Sequence, residues 1–197
     1  MRVGTTLSVA AALLGALIVG PHVGADDQGL SDGAAAAEAA TRGTTAQVTP
    51  TAPPPSVAPG DSLDIPTNSG TGRRVVYSKG IMRVWLIEAD GTLYNTHRVS
   101  GRIDRPNFGT YTVWSRSTFT CARKRPDICM RFMVRFAWAP SGDNIGFHEI
   151  PTQGGRPLQT EEQLGESLSG GCVRQVTADA ILMWDWAQIG TVVVVVP

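Results

Sequence analysis

Two short segments in the C-terminal half of the chain contain the residue types best suited to covalent chemistry. Residues 169–174 (SGGCVR) place Cys172 after two glycines and just before a segment predicted to be helical. Residues 147–151 (FHEIP) place His148 on a predicted strand upstream of that cysteine. A nucleophilic cysteine requires thiolate character, a base within reach and donors for a developing oxyanion. The two segments therefore predict a cysteine acyl-transfer site with Cys172 as nucleophile and His148 as base.

The glycines before the cysteine predict how the oxyanion would be held. Gly170 and Gly171 have no Cβ, so the turn can point the backbone amides of Gly171 and Cys172 at one spot. A buried structural thiol is the alternative for Cys172, and the adjacent glycines argue against it. Spacing alone leaves open whether His148 is a base or a structural histidine, and His97, in a polar strand region, is interpreted as a surface residue.

The other two cysteines flank a polar, proline-containing segment, residues 122–128. This segment could form the tip of a hairpin, and a Cys121–Cys129 disulfide would then close it. Such a bond is plausible in an oxidising compartment and would stabilise the fold by ~2 to 3 kcal/mol. Cys172 would remain as the free thiol.

The N-terminal part predicts export. A basic residue, an apolar run over residues 7–19 and small residues at 23–25 are typical of a cleaved signal peptide over residues 1–25. An uncleaved anchor is the alternative, although the run is shorter than the ~20 residues of a spanning helix. Residues 26–72, rich in Ala, Thr and Pro, predict a disordered tether, and the folded domain is expected over residues 73–197.

The pattern of the folded part is mostly β. Short β-rich runs separated by Gly, Pro, Asp and Asn predict a β-sandwich or barrel with one or two short helices. The strands are expected at residues 75–77, 82–87, 93–99, 109–114, 130–138, 145–150 and 192–196, with a turn at Asp90 and Gly91. A helix is expected over residues 177–187 with Thr177 as N-cap, and a turn or short helix over 160–164.

These segments together resemble the L,D-transpeptidase (YkuD-type) catalytic domain over about residues 73–197. The resemblance lies in residues 147–151, 164–165, 169–174, 179–180, 184–187 and 189–191, and in the strands of residues 75–77, 82–102 and 109–111. It implies a largely β domain that takes the acyl group of a peptidoglycan tetrapeptide stem onto its cysteine. D-Alanine is released, and the acyl group passes to an amine on another stem.

The resemblance also implies a role for each matching residue. Cys172 is the nucleophile, His148 the base, and the Glu149 carbonyl orients the imidazole. The amides of Gly171 and Cys172 hold the oxyanion. Arg174 is expected to bind a stem carboxylate or to order the loop, together with Ser169 and Gly170.

Two departures from the family pattern keep other functions open. Gly170 stands where the family usually has a histidine, and the segment between His148 and Cys172 is longer than in the usual motif. We expect the inserted residues 152–167 to form a rim or lid. The alternatives are a catalytically impaired peptidoglycan-binding domain and an L,D-carboxypeptidase that only hydrolyses.

No cofactor is expected, because the histidines lie far apart and no Cys or carboxylate cluster suggests a metal site. The formal net charge of zero hides an excess of four basic residues after residue 71, which is too weak and too dispersed to suggest nucleic-acid binding. The expected partner is the peptidoglycan stem peptide, and the expected location is the cell envelope, on the periplasmic or cell-wall side. A membrane contact is expected only through an uncleaved signal segment.

Overall fold

The computed structural model describes residues 62–197. The predicted signal peptide and the tether as far as residue 61 lie outside the described residues. Residues 62–72, also predicted as tether, are described. Within them Ile65 packs against a small apolar cluster, and the Leu63 carbonyl accepts a hydrogen bond of 3.2 Å from Trp85 Nε1.

The described residues form eleven strands and one helix. In chain order these are β1 Arg74–Ser78, β2 Arg83–Ile87, β3 Leu93–Arg98, β4 Gly109–Thr112, β5 Ser115–Ala122, β6 Arg125–Trp138, β7 Asn144–Glu149, β8 Thr152–Gln153, β9 Arg156–Pro157, β10 Val173–Gln175, α1 Thr177–Trp186 and β11 Val192–Val196. No helix of residues 62–197 is long and apolar enough to cross a membrane.

The first sheet has the strand order β3-β2-β1-β11-β4. Its pairs are antiparallel except β1 with β11, which run parallel. Alternation along β2 divides its side chains: Val84 and Leu86 enter the main core, and Trp85 and Ile87 join the small cluster on the opposite face. Because successive side chains of a strand point to opposite faces, β2 contributes buried apolar residues to both faces of this sheet.

The second sheet has the order β10-β7-β6-β8-β9, with β5 paired to β6 outside that path. The fourteen-residue strand β6 pairs with β5, β7 and β8. The last pair of the sheet, β7 with β10, is parallel. This parallel pair brings the segment that follows Cys172 beside the strand that contains His148.

The main core lies between the two sheets and α1. It contains Val75 and Tyr77 of the first sheet, Phe147 and Val173 of the second, and Met183 of the helix. The predicted fold class, a mostly β sandwich with a short helix, is confirmed. The predicted strands are present, while β5, β8, β9 and β10 were not predicted as separate strands.

The helix is present, but its predicted N-cap is wrong. Val176 occupies the N-cap position and makes no side-chain capping bond. The Thr177 hydroxyl instead donates to Glu149 Oε2 at 3.2 Å, because β7 passes close by and offers a stronger acceptor. Ile181 is 40% exposed, and residues 160–164 form a turn without a helix.

Candidate active site

Strand register places Cys172, Arg174 and His148 on one face of the second sheet. Val173 lies opposite Phe147, and Arg174 lies opposite His148 in the parallel β7–β10 pair. Since Val173 and Phe147 both enter the core, their neighbours along each strand project from the opposite face. Cys172, two residues before Arg174, shares that face.

This face forms the floor of a cleft of about 550 Å³. Both Cys172 and His148 line it, so the structure brings together the thiol and the imidazole singled out in the sequence. The remaining lining comes from the β5–β6 hairpin, the β6–β7 turn, the glycine turn and the segment after β9, and includes Met133, Arg135, Trp138, Asp143, Leu158 and Arg174.

His148 has the protonation state and tautomer that a general base needs. Its ring is 2% exposed, and Nδ1 lies 2.5 Å from the Glu149 carbonyl oxygen. A carbonyl can only accept, so Nδ1 carries the proton and Nε2 keeps its lone pair. Burial lowers the pKa of His148 to about 4, and the bond to the Glu149 carbonyl offsets this only in part. The imidazole is therefore neutral at physiological pH.

The Cys172 thiol rests in its protonated form. Loss of hydration in the cleft raises the pKa of Cys172, while a backbone hydrogen bond from Gly146 and the charges of Arg174 and Arg135 act in the opposite direction. Sγ lies 3.4 Å from the Asn144 carbonyl oxygen, which accepts the thiol proton. A neutral thiol beside a neutral imidazole suits a mechanism in which the imidazole takes the thiol proton while the sulfur attacks a carbonyl carbon.

The glycine turn before Cys172 has one constrained and one open position. Gly171 has φ +144°, where a side chain would be strained, and an added Cβ would lie 3.0 Å from Arg105 Cδ. A Cβ at Gly170 would meet nothing within 4 Å. The Gly171 amide donates to the Ser169 hydroxyl at 3.0 Å, so this amide can serve an oxyanion only if that hydroxyl turns away.

The Glu149 carboxylate, beside the carbonyl that holds His148, is fixed by three groups. Arg131 donates from Nε at 2.8 Å and from Nη2 at 2.8 Å, its backbone amide donates at 3.0 Å, and Thr177 adds the bond already described. Burial works against the charged form, but the hydrogen bonds and charge of Arg131 outweigh it and lower the pKa of Glu149. Strands β6 and β7 and the helix are thereby joined next to the imidazole.

Arg174 lies on β10 beside the thiol. Its Nη1 donates to Gln159 Oε1 at 3.0 Å, and its backbone pairs with Ser100. Gln159 comes from the inserted segment, which reaches the cleft through the neighbouring Leu158.

The interpretation of His97 as a surface residue is wrong. Its side chain is 0% exposed, with Nδ1 2.9 Å from Asn95 Oδ1 and Nε2 2.6 Å from Gln175 Oε1. The polar residues around it in sequence suggested exposure. Groups from distant segments instead enclose the ring: Gln175 of β10 contacts Nε2, and Asp179 of α1 lies 3.9 Å from Nδ1.

The Cys121–Cys129 disulfide is present and joins paired residues of the β5–β6 hairpin. The hairpin tip beyond it curls over the cleft, where Arg123 and Lys124 form ion pairs of 2.9 and 3.1 Å with Asp143 of the β6–β7 turn. Cys172 is the free cysteine of the described residues.

Sequence reasoning missed Arg135 and Asp143 as cleft residues. Two arginines interrupt the otherwise apolar run of residues 130–138, and this was the available signal for Arg135. No signal marked Asp143, because a polar turn residue is ordinary. Within residues 62–197 no three His, Cys, Asp or Glu side chains gather as a possible metal-ligand set.

Comparison with known proteins gives a family match over most of the described chain. The model of the L,D-transpeptidase catalytic domain family (YkuD) matches residues 64–195. A search of curated proteins finds no match.

Solved structures with the same fold include L,D-transpeptidases. The L,D-transpeptidase (Yku) from Stackebrandtia nassauensis is 18% identical with a TM-score of 0.52, over 70% of this chain and 62% of that one. The enzyme from Mycobacterium smegmatis is 15% identical with a TM-score of 0.52, over 65% and 60%. LdtMt1 in complex with imipenem is 18% identical with a TM-score of 0.50, over 64% and 60%. The chain thus spans about three-fifths of the length of these structures, and at this identity they show the fold alone.

Proposed function

This chain belongs to the L,D-transpeptidase catalytic domain family, and we propose that it is a peptidoglycan L,D-transpeptidase that uses Cys172 as its nucleophile. One observation carries the proposal: Cys172 shares a cleft with a neutral His148 whose Nδ1 is held by the Glu149 carbonyl. A thiol and a free imidazole nitrogen on one sheet face are the minimum machinery of cysteine acyl transfer.

In the acylation step, His148 Nε2 takes the Cys172 proton as Sγ attacks the carbonyl carbon of the third stem residue. The resulting oxyanion is stabilised by the Cys172 amide, joined by the Gly171 amide once the Ser169 hydroxyl turns away. The imidazolium then protonates the leaving amine, and D-alanine departs. A thioester between Cys172 and the stem remains.

In the second step the acceptor amine of another stem attacks the thioester. His148 removes a proton from that amine and returns one to the sulfur, which leaves as thiol. Water in place of the amine would give the L,D-carboxypeptidase reaction. The open cleft, with Gly170 at its edge, leaves room for either acceptor.

Imipenem provides the direct test of the nucleophile. The β-lactam ring opens on attack and its whole mass stays on the sulfur, so intact mass spectrometry should find one adduct on the wild-type protein and none on Cys172→Ala. Absence of an adduct from folded wild-type protein would overturn the proposed chemistry. Muropeptide digestion then separates the reactions, since a cross-linked dimer indicates a transpeptidase and a trimmed monomer a carboxypeptidase.

Gly170 motivates the second candidate, a domain that binds peptidoglycan without turnover. The family histidine at this position is missing, and a Cβ added there meets nothing within 4 Å, so Gly170→His is the variant that tests its absence. If the missing imidazole limits the site, this variant should acylate several-fold faster than wild type. Stem binding without adduct or D-alanine release, in both the wild type and the histidine variant, would favour the binding domain.

A further inference from the structure

The charges that line the cleft are unbalanced. Arg123, Lys124, Arg125, Arg135 and Arg174 all line it, and Asp143 is the acid among the lining residues. Asp143 pairs with Arg123 and Lys124, and Arg125 pairs with Asp127 at 3.3 Å. Within the described part of the chain, Arg135 and Arg174 are left without a carboxylate within 4 Å.

Arg135 is the more unusual of these two cations. It is 8% exposed, and burial lowers the pKa of its guanidinium. Its hydrogen bonds within residues 62–197 come from Nη1, which donates to Ser117 Oγ at 2.8 Å and weakly to Ser115 Oγ at 3.5 Å. A buried charge without a counter-ion is costly, and here part of the donor fork faces the cleft without a protein acceptor.

Strand register places Arg135 on the same sheet face as the nucleophile, with one strand between them. Arg135 of β6 lies opposite Gly146 of β7, and Gly146 is also the neighbour of Cys172, since Val173 pairs with Phe147. The three residues form a row across adjacent strands on the cleft face. Gly146 contributes no side chain, and an added Cβ there would collide with the Val134 carbonyl. Nothing on the middle strand therefore separates the guanidinium from the thiol.

We propose that Arg135, with Arg174 beside it, binds a carboxylate group of the substrate next to Cys172. The planar guanidinium fork matches two carboxylate oxygens, and a partly dehydrated site strengthens the pairing. On the proposed function, the carboxylate belongs to the stem and has two possible sources: the terminal carboxylate of the leaving D-alanine or the side-chain carboxylate of the third residue. Arg135 would then select stems that retain that charge.

A pair of alkylating agents tests the anion site independently of any transpeptidase activity. Iodoacetate and iodoacetamide both form an S–CH₂ bond to the Cys172 thiolate with loss of iodide, and they differ in the carboxylate. Because both reagents react with the thiolate, the ratio of their rates does not depend on the fraction of Cys172 that is ionised. We expect this ratio to fall about tenfold or more in Arg135→Gln and to be partly retained in Arg135→Lys.

Arg123→Gln is the matched control, because it removes a cleft cation that is already paired with Asp143. Its ratio should stay within about threefold of wild type. Equal ratios in Arg135→Gln and Arg123→Gln would overturn the proposal. If Arg135→Gln fails to fold, wild-type protein alone decides: D-alanine should protect Cys172 from iodoacetamide better than D-alaninamide does, and equal protection would overturn the site.

Amidated stems then identify the source of the carboxylate. For donor stems, we compare kcat/KM with D-alaninamide at the fourth position and with an amidated third residue. The amidation that removes the recognised carboxylate should lower kcat/KM about tenfold or more in the wild type and much less in Arg135→Gln. If neither does while the alkylation ratio behaves as expected, the stem assignment is wrong. If no stem reacts at all, the proposed function fails, and the alkylation result still decides the anion site.

Discussion

At the scale of single residues, the two described histidines differ in what their ring nitrogens contact. Both nitrogens of His97 lie within hydrogen-bonding distance of side-chain oxygens, whereas His148 is held through Nδ1 by the Glu149 carbonyl. A neutral histidine that is hydrogen-bonded at both nitrogens has no free lone pair to accept a proton from a substrate or thiol. Burial alone therefore does not separate a structural from a reactive histidine; the free acceptor does.

The first prediction concerns His148 as the base. Because its pKa is lowered to about 4, the rate of imipenem acylation should hold as pH falls through the ordinary histidine range and decline only below about pH 5. His148→Ala should slow acylation by ~10² to 10⁴ without unfolding the protein. Stopped-flow acylation from pH 4 to 9 measures both effects. An acid limb near pH 6.5, or a change of only a few-fold in the variant, would place the base elsewhere.

At the scale of elements, β6 organises the cleft. One face of this strand contributes Val134 to the core, and the other contributes Met133 and Arg135 to the cleft. Phe132, with φ +57°, occupies a conformation that bulky residues rarely adopt. Near this point β6 passes from its pairing with β8 to its pairing with β7. This change of pairing partner directs the far end of the β5–β6 hairpin over the cleft.

The second prediction concerns the Arg131–Glu149 pair that joins β6 to β7. Arg131→Ala leaves a nearly buried carboxylate without its charged partner, so the free energy of unfolding at pH 7 should fall by about 1 to 2 kcal/mol. The lowered pKa of Glu149 means that this stabilisation is present above its unfolded pKa and is lost as pH falls through the folded one. The difference between variant and wild type should therefore shrink at pH 3.5.

Urea unfolding at the two pH values measures this effect. Arg125→Ala is the control, because Arg125 forms an exposed pair with Asp127 on the same strand and should change the stability by less than about 0.5 kcal/mol. Equal losses in the two variants would show that the Glu149 pair has no special structural role.

At the scale of the whole molecule, two sheets and one helix enclose both histidines with the core. The enclosure lowers the pKa of His97 and of His148, so each stays neutral in the folded chain while the unfolded chain takes up protons near pH 6.5. The unfolded state then binds more protons than the folded state. Stability must therefore decrease as pH falls through this window.

The third prediction follows from this difference in proton binding. The free energy of unfolding should fall between pH 7 and pH 5 by on the order of 1 to 2 kcal/mol from His148, and His97 should add to the decrease. Urea titrations at pH 7, 6 and 5 measure it, and His148→Gln should remove part of the dependence. The raised pKa of Asp179 acts in the opposite sense, in the carboxylate range below this window. A stability that is constant or rises toward pH 5 would contradict the prediction.

Much of this protein was predictable from the sequence. Short β-rich runs bounded by turn residues predicted the sandwich, because alternation of apolar side chains is a local property of a strand. The disulfide and the shared location of Cys172 and His148 in one cleft were also predictable, since both depend on residue types with few alternatives in the chain. Even the two faces of β2 followed from its period of two.

Tertiary structure decided what depends on contacts between distant segments. The burial of His97 depends on contacts with β10 and α1, and the bond from Thr177 to Glu149 requires β7 to pass the start of the helix. The row of Arg135, Gly146 and Cys172 exists only because β10, distant in sequence, pairs in register with the β6–β7 hairpin. Residue types and local periodicity determined the chemistry available to this chain. Strand pairing and burial determined which groups meet, which stay neutral and which cation is left to receive a carboxylate.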